Sequence, residues 1–304
     1  MREKIRDFVS YVWIGSAVVL CLAIAAGGSV LPAPSEIDLT EREPTAPPVV
    51  SPWPGPSSNE TLYVVDSTVD ELYEISTSDG STTLVGSTAP MSTPAGLAFD
   101  GTQLYSIDLS PDTFGGLFTL DLGDGTPTLV GKTGFSGWQG LASDPTDSGQ
   151  LYAINHADVL HKISRVDGST TVVAAGVGDL ISALEFDASG QLWGTEFSLG
   201  TLVKINKADG NVTLVANTLV GFQGIDFDSN GTLYAHNSDS DSLYVINTST
   251  GEANLVGPSG TQFVKGLAFI EESPPVPAVS GHRLMVTVLL VLAVSAALLW
   301  GRTD

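Results

Sequence analysis

A four-part pattern recurs five times in this chain, and no other feature restricts the possible folds so tightly. In its clearest copy, Gly96 to Gly131, an apolar stretch (Leu97, Ala98, Phe99) is followed by an Asp100-Gly101 turn and a second stretch, Leu104 to Asp108. A third stretch runs from Leu117 to Asp121, and a fourth ends in Thr128, Leu129, Val130 and Gly131. The second stretch begins at Leu62, Leu104, Leu151, Leu192 and Leu233, and the third at Leu72, Leu117, Leu160, Leu202 and Leu243. The fourth is centred on Val85, Val130, Val173, Val215 and Val256. Copies 41 to 47 residues apart, each with room for four short strands, are the signature of propeller blades.

Turn chemistry repeats with the strands. Asp100-Gly101, Asp187 to Gly190 and Asp228 to Gly231 join first to second strands. Asp79-Gly80, Asp124-Gly125, Asp167-Gly168, Asp209-Gly210 and Thr250-Gly251 join third to fourth. An Asp side chain bonds the backbone two residues on, and Gly supplies a positive φ, so these residues are assigned to structure.

The two ends of the repeat region complement each other. The first copy opens directly at its second strand, Leu62 to Asp66, whereas Gly266-Leu267-Ala268-Phe269 repeats Gly96-Leu97-Ala98-Phe99 and has no second strand after it. If the last strand completes the first blade, twenty strands make five blades with none left over and no free inner edge at the seam. The expected fold is all-β: a five-bladed propeller over residues 59–270, closed by its C-terminal strand.

Both ends of the chain differ from this middle. Residues 1–30 carry three basic residues before Phe8 and then an apolar run to Ala26, the pattern of an export signal or an N-terminal anchor. Residues 31–58 hold eight prolines among scattered acids and form a stiff linker. A second proline-rich linker, 271–282, leads to residues 283–304, in which the 17 residues Leu284 to Trp300 are uncharged. That run is near the lower limit for spanning a bilayer. A basic N-terminus is retained inside, which places the repeat domain in an extracytoplasmic position, membrane-anchored or at the cell surface. Acids outnumber bases 34 to 12, and a net charge of −22 repels phosphate backbones, so nucleic acid is excluded as a partner. The lone Cys21 allows no internal disulfide.

Candidate site residues follow from the blade plan. Second strands end in Asp66, Asp108, Asn155, Glu196 and Asn237, while first strands are preceded by Ala95, Gln139, Ser182, Gln223 and Lys265. Antiparallel pairing brings both sets to one face, around the channel mouth. Oxygen-only side chains in a ring suit a hard cation such as calcium; the same residues at strand ends also serve simply to start turns. In mid first strand, Ala98, Ala142 and Ala268 give way to Glu185 and Asp226 in two neighbouring blades. These acids either bind a cation with Glu196 and Asn237, share a proton, or bond backbone groups. Trp138-Gln139 and Phe222-Gln223 set an aromatic plane beside an amide, which fits a sugar or, equally, a packed loop. His236, in line with Val65, Ile107, Ile154 and Thr195, reads as a core histidine. The chain contains no nucleophile elbow, phosphate loop or Cys/His metal spacing.

The wording of Leu104-Tyr105-Ser106-Ile107-Asp108, of Asp79-Gly80 through Thr83-Leu84-Val85-Gly86, and of Gly96 to Asp100 resembles secreted bacterial propeller repeats of the YVTN and NHL-like kind. Val276 to Gly281, with the apolar run and Arg302 after it, resembles an exosortase-type sorting tail. The strand-end oxygens resemble those of gluconolactonase-like propellers, a likeness that implies a metal over the channel. The expectation is a monomeric, non-enzymatic, surface-displayed propeller that binds an extracellular ligand, glycan or protein at its mouth through Trp138, Gln139, Ser182, Phe222, Gln223 and Lys265. The alternative is a metal-dependent hydrolase or lyase, lactonase-like, with Glu185, Glu196, Asp226 and Asn237 around a divalent cation.

Overall fold

The computed structural model describes residues 56–57, 59–110 and 115–271. All belong to the second of two units, Met1–Pro48 and Val49–Asp304. The expected export segment 1–30, almost all of the linker 31–58, the linker 271–282 beyond Glu271 and the tail 283–304 lie outside the described residues. Among the described residues no helix is long and apolar enough to cross a membrane.

Among the described residues, twenty strands form five four-stranded antiparallel sheets. The seam sheet runs from Val264–Glu271 (here β20) to Glu60–Asp66 (β1), Glu71–Ile75 (β2) and Thr82–Ser87 (β3). The second is Pro94–Phe99 (β4), Leu104–Asp108 (β5), Gly116–Leu120 (β6) and Pro127–Lys132 (β7). The third is Trp138–Asp144 (β8), Gln150–Asn155 (β9), Val159–Ile163 (β10) and Thr170–Ala175 (β11). The fourth is Ile181–Phe186 (β12), Leu192–Glu196 (β13), Thr201–Ile205 (β14) and Val212–Asn217 (β15). The fifth is Phe222–Phe227 (β16), Leu233–Asn237 (β17), Ser242–Ile246 (β18) and Ala253–Pro258 (β19). This is a five-bladed β-propeller closed as the ends of the repeat imply, with Leu267 opposite Val64 and Phe269 opposite Leu62.

The inner strands begin three residues before their apolar stretch, at Pro94 against Leu97 in β4, and each contains a β-bulge. Trp138 pairs with Asn155 and Gly140 with Ile154, which leaves Gln139 as the extra residue. Ser182, Gln223 and Lys265 hold the same place in β12, β16 and β20. A bulge re-aims one side chain out of the ladder, and here the re-aimed residue of each of these four strands is polar. A second bulge falls at the valine of every outer strand, Val85, Val130, Val173, Val215 and Val256. It interrupts the two-residue alternation, so the preceding Leu84, Leu129, Val172, Leu214 and Leu255 stay exposed.

The core lies between blades, in five apolar clusters that each draw on neighbouring sheets. Around the axis the inner strands touch backbone to backbone. A Cβ placed on Gly96 would lie 2.5 Å from the Leu141 nitrogen, and one on Gly266 would lie 2.4 Å from the Leu97 nitrogen. Only a residue without a side chain permits that approach.

Candidate functional site

Among the described residues the mouth face is built by the turns between second and third strands and by the loops that lead into the next inner strand or, at the seam, into β20. Backbone hydrogen bonds lace them together. Phe197 donates to Leu180, Gly221 to Phe197 and Ser238 to Gly221, which carries the lacing from the fourth blade to the fifth. At the seam Ser67 donates to Phe263.

The strand-end oxygens complete this lacing. Asp66 accepts from Thr68 N at 2.7 Å and from Gln262 N at 2.9 Å, and Asp108 accepts from Ser110 N at 2.9 Å and Ser92 N at 3.2 Å. Asn155 accepts from Ala157 N and Val159 N at 3.0 and 3.2 Å. Glu196 accepts from Asp179 N at 2.9 Å and from the Thr201 hydroxyl. Asn237 accepts from Asp239 N and Ser240 N at 3.0 and 3.1 Å, and donates to the Val220 carbonyl at 2.6 Å. These side chains start turns and fasten incoming loops; their oxygens are taken up by backbone N–H groups and, at Glu196, by the Thr201 hydroxyl as well.

Glu185 and Asp226 stand at the other end of the channel. Ile181 is level with Glu196, but Glu185 is level with Trp193. Likewise Phe222 is level with Asn237 and Asp226 with Tyr234. Three ladder steps of about 3.3 Å separate each pair. The four residues expected to share one cation therefore do not converge, and among the described residues no group of three or more His, Cys, Asp or Glu side chains could hold a metal ion. Alternation and spacing do not report on which end of the channel a mid-strand side chain approaches.

Instead Glu185 and Asp226 join Glu60, Asp228 and Glu271 around a cavity of about 310 Å³ at the far opening. Glu185 accepts from Phe186 N at 2.8 Å and Asp226 from Phe227 N at 2.6 Å. Burial raises both carboxyl pKa values; Asp226 adds to the rise at Glu185, and Glu60 and Asp228 add to that at Asp226.

Trp138 and Phe222 are closed to any ligand. Trp138 is fully buried, donates from Nε1 to the Thr133 hydroxyl at 3.0 Å and packs edge-on to His161. Phe222 packs edge-on to Tyr244. Each sits on the interior side of its bulge, so the sugar-stacking arrangement does not form. Ser182 is likewise engaged in the wall, its hydroxyl 2.6 Å from the Phe222 carbonyl.

Gln139, Gln223 and Lys265 remain at the entrance. Gln139 contacts the His156 ring, and Gln223 Oε1 accepts from the Ser238 hydroxyl at 3.4 Å. Gln223 and Lys265 line the neck with the backbones of all five inner strands, and the neck leaves no room for a water molecule. Burial lowers the pKa of the Lys265 ammonium; burial and then the charge of Lys265 lower that of His156.

Around this polar centre stands an apolar rim that sequence reasoning missed. Val69, Phe135, Leu180, Leu199, Leu219 and Phe263 are all exposed, and all lie in mouth-face loops. Leu180 and Phe263 hold left-handed backbone, with φ of 56° and 50°. Bulky residues adopt that conformation at a cost of about 1–2 kcal/mol each. Apolar residues isolated in loops carry no periodic signal, which is why only the folded loops reveal the rim.

No family model matches the chain, and no curated protein does. Among solved structures, a chain described in a "Crystal structure of Nidogen/Laminin Complex" is 15% identical with a TM-score of 0.49, over 69% of this chain and 98% of that one. A structural-genomics protein of unknown function from Bacteroides thetaiotaomicron VPI-5482 is 18% identical with a TM-score of 0.48, over 62% of this chain and 53% of that one. These likenesses carry no conclusion about function.

Proposed function

We propose that the protein is a non-enzymatic binding module whose mouth face docks a partner protein. The observation that supports this reading is the apolar rim, in which Leu180 and Phe263 are held exposed in strained backbone on loops that hydrogen bonds make rigid. Exposed apolar groups gathered in the loops of one face of an acidic molecule favour a partner that covers them. With Trp138 and Phe222 buried, the face offers a glycan no stacking plane from these two residues. Display outside the cytoplasmic membrane, through the apolar segments in 1–30 and 283–304, belongs to the same proposal and is supported by their order along the chain.

The test is a pull-down with the full chain from the surface-protein fraction of the cells that make it, wild type against a Leu180→Ser, Phe263→Ser double variant. A protein retained by the wild type and lost from a variant with unchanged melting temperature supports docking. Equal retention by both, or retention by neither, overturns it. Protease added to spheroplasts should release the propeller by cutting the proline-rich linkers, and release only after lysis would reverse the assigned side.

A further inference from the structure

We infer that the channel entrance is a carboxylate pocket, in which Lys265 receives the C-terminal carboxylate of an apolar partner segment; this rests on the docking role proposed for the mouth face. Acids outnumber bases 34 to 12 in this chain. Lys162 and Lys207 pair with Asp147 and Asp144, Arg165 pairs with Asp100, and Lys204 lies 4.4 Å from the Trp193 ring centroid. Among the described residues no carboxylate lies within ion-pair distance of Lys265, although it is half-buried. An ammonium withdrawn from water without a counter-charge is destabilised, and an arriving anion removes that cost.

The position of Lys265 favours capture from outside. It is the extra residue of the β20 bulge, at the neck where the five inner strands come too close together to admit water. The anionic group must therefore stop at the entrance. Gln223 lines the neck with Lys265, and its amide N–H groups can donate to the same anion. A single cation beside the neutral Gln223 amide matches one negative charge, a carboxylate rather than a phosphate dianion. The rim then selects the rest of the ligand. A chain end entering along the axis presents its carboxylate to Lys265 while its last apolar side chains spread onto Leu180, Leu219 and Phe263, whereas an internal segment must keep its backbone above the rim. The lowered pKa of Lys265 agrees with a site whose empty form lacks a counter-charge.

The experiment is calorimetric titration of the full chain with N-acetyl-leucyl-phenylalanine as the free acid and as the carboxamide. The acid should bind about tenfold or more tightly than the amide, as a charge-assisted hydrogen bond implies. Lys265→Met should abolish that preference and Lys265→Arg should keep it, with melting temperatures showing that both variants fold. Equal affinity for acid and amide, a preference that survives Lys265→Met, or no binding of the acid at millimolar concentration overturns the inference. The rim variants separate this inference from the docking proposal. If Leu180→Ser and Phe263→Ser leave both affinities unchanged while the acid preference persists, the pocket stands and the role of the rim falls.

Discussion

The backbone N–H of Phe269, on the strand that closes the ring, donates to the carboxylate of Asp226 on the inner strand of the adjacent blade. An inner strand has a free edge toward the axis, and its N–H groups there have no strand to pair with. Asp226 and Glu185 supply acceptors to that edge, to Phe269 and Phe227 in one case and Phe186 in the other. The two acids are thus placed as structural acceptors whose ionisation the fold opposes.

That opposition has a definite pH sign. A carboxyl whose folded pKa is raised holds its proton more firmly in the folded state. Its stabilising contribution is complete below the ordinary carboxylate range and is lost as pH rises through the raised value. Glu185→Gln keeps an acceptor for Phe186 N and cannot ionise. It should raise the melting temperature at pH 8 and change it little at pH 4. A variant equally shifted at both pH values would remove ionisation as the cause.

His236 titrates with the opposite sign. Fully buried, with Nε2 2.8 Å from the Ser259 hydroxyl, it has its pKa pushed down to about 4 by burial. Folding keeps it neutral, so stability declines as pH falls from the unfolded value of about 6.5 through the folded one, by about 3 kcal/mol in all. His236→Thr, which copies Thr195 of the neighbouring blade, should narrow the gap between melting temperatures measured at pH 7 and pH 4. An unchanged gap would place the acid sensitivity elsewhere.

Closure at the seam should govern the whole domain. Deleting residues 262–270 removes the buried Val264, Leu267, Phe269 and Ile270. Each is worth about 1.5–3 kcal/mol, a sum comparable to the roughly 5–15 kcal/mol that stabilises a typical domain. The deleted chain should show no cooperative thermal transition by circular dichroism; a normal melt would mean that the ring survives open.

Crowding at the axis is testable with one methyl group. Gly266→Ala would place a Cβ 2.4 Å from the Leu97 backbone nitrogen. Overpacking against backbone costs about 1–3 kcal/mol, visible as a lower urea midpoint. The equivalent residue of the fourth blade is already Ala183, so the complementary Ala183→Gly change should cost under about 1 kcal/mol. Similar losses at both positions would argue against a steric origin.

Much of this molecule is written locally. Strand periodicity, Asp-Gly turns and the complementary ends specify five blades and their closure, and the second and third strands start within two residues of their leucines. Such features depend on residues a few positions apart, or on one strand completing one sheet. The functional face was only partly legible. Gln139, Gln223 and Lys265 were readable as mouth residues from blade alignment, yet their place at bulges inside the strands was not, since a bulge appears only when two strands pair. The separation of Glu185 and Asp226 from Glu196 and Asn237 was decided by strand register. The burial of Trp138 and Phe222 was decided by packing in the folded ring. The gathering of Leu180, Leu219 and Phe263 onto one rim was decided by the curvature that brings loops of three blade junctions together, a property of the closed ring that no stretch of sequence contains by itself.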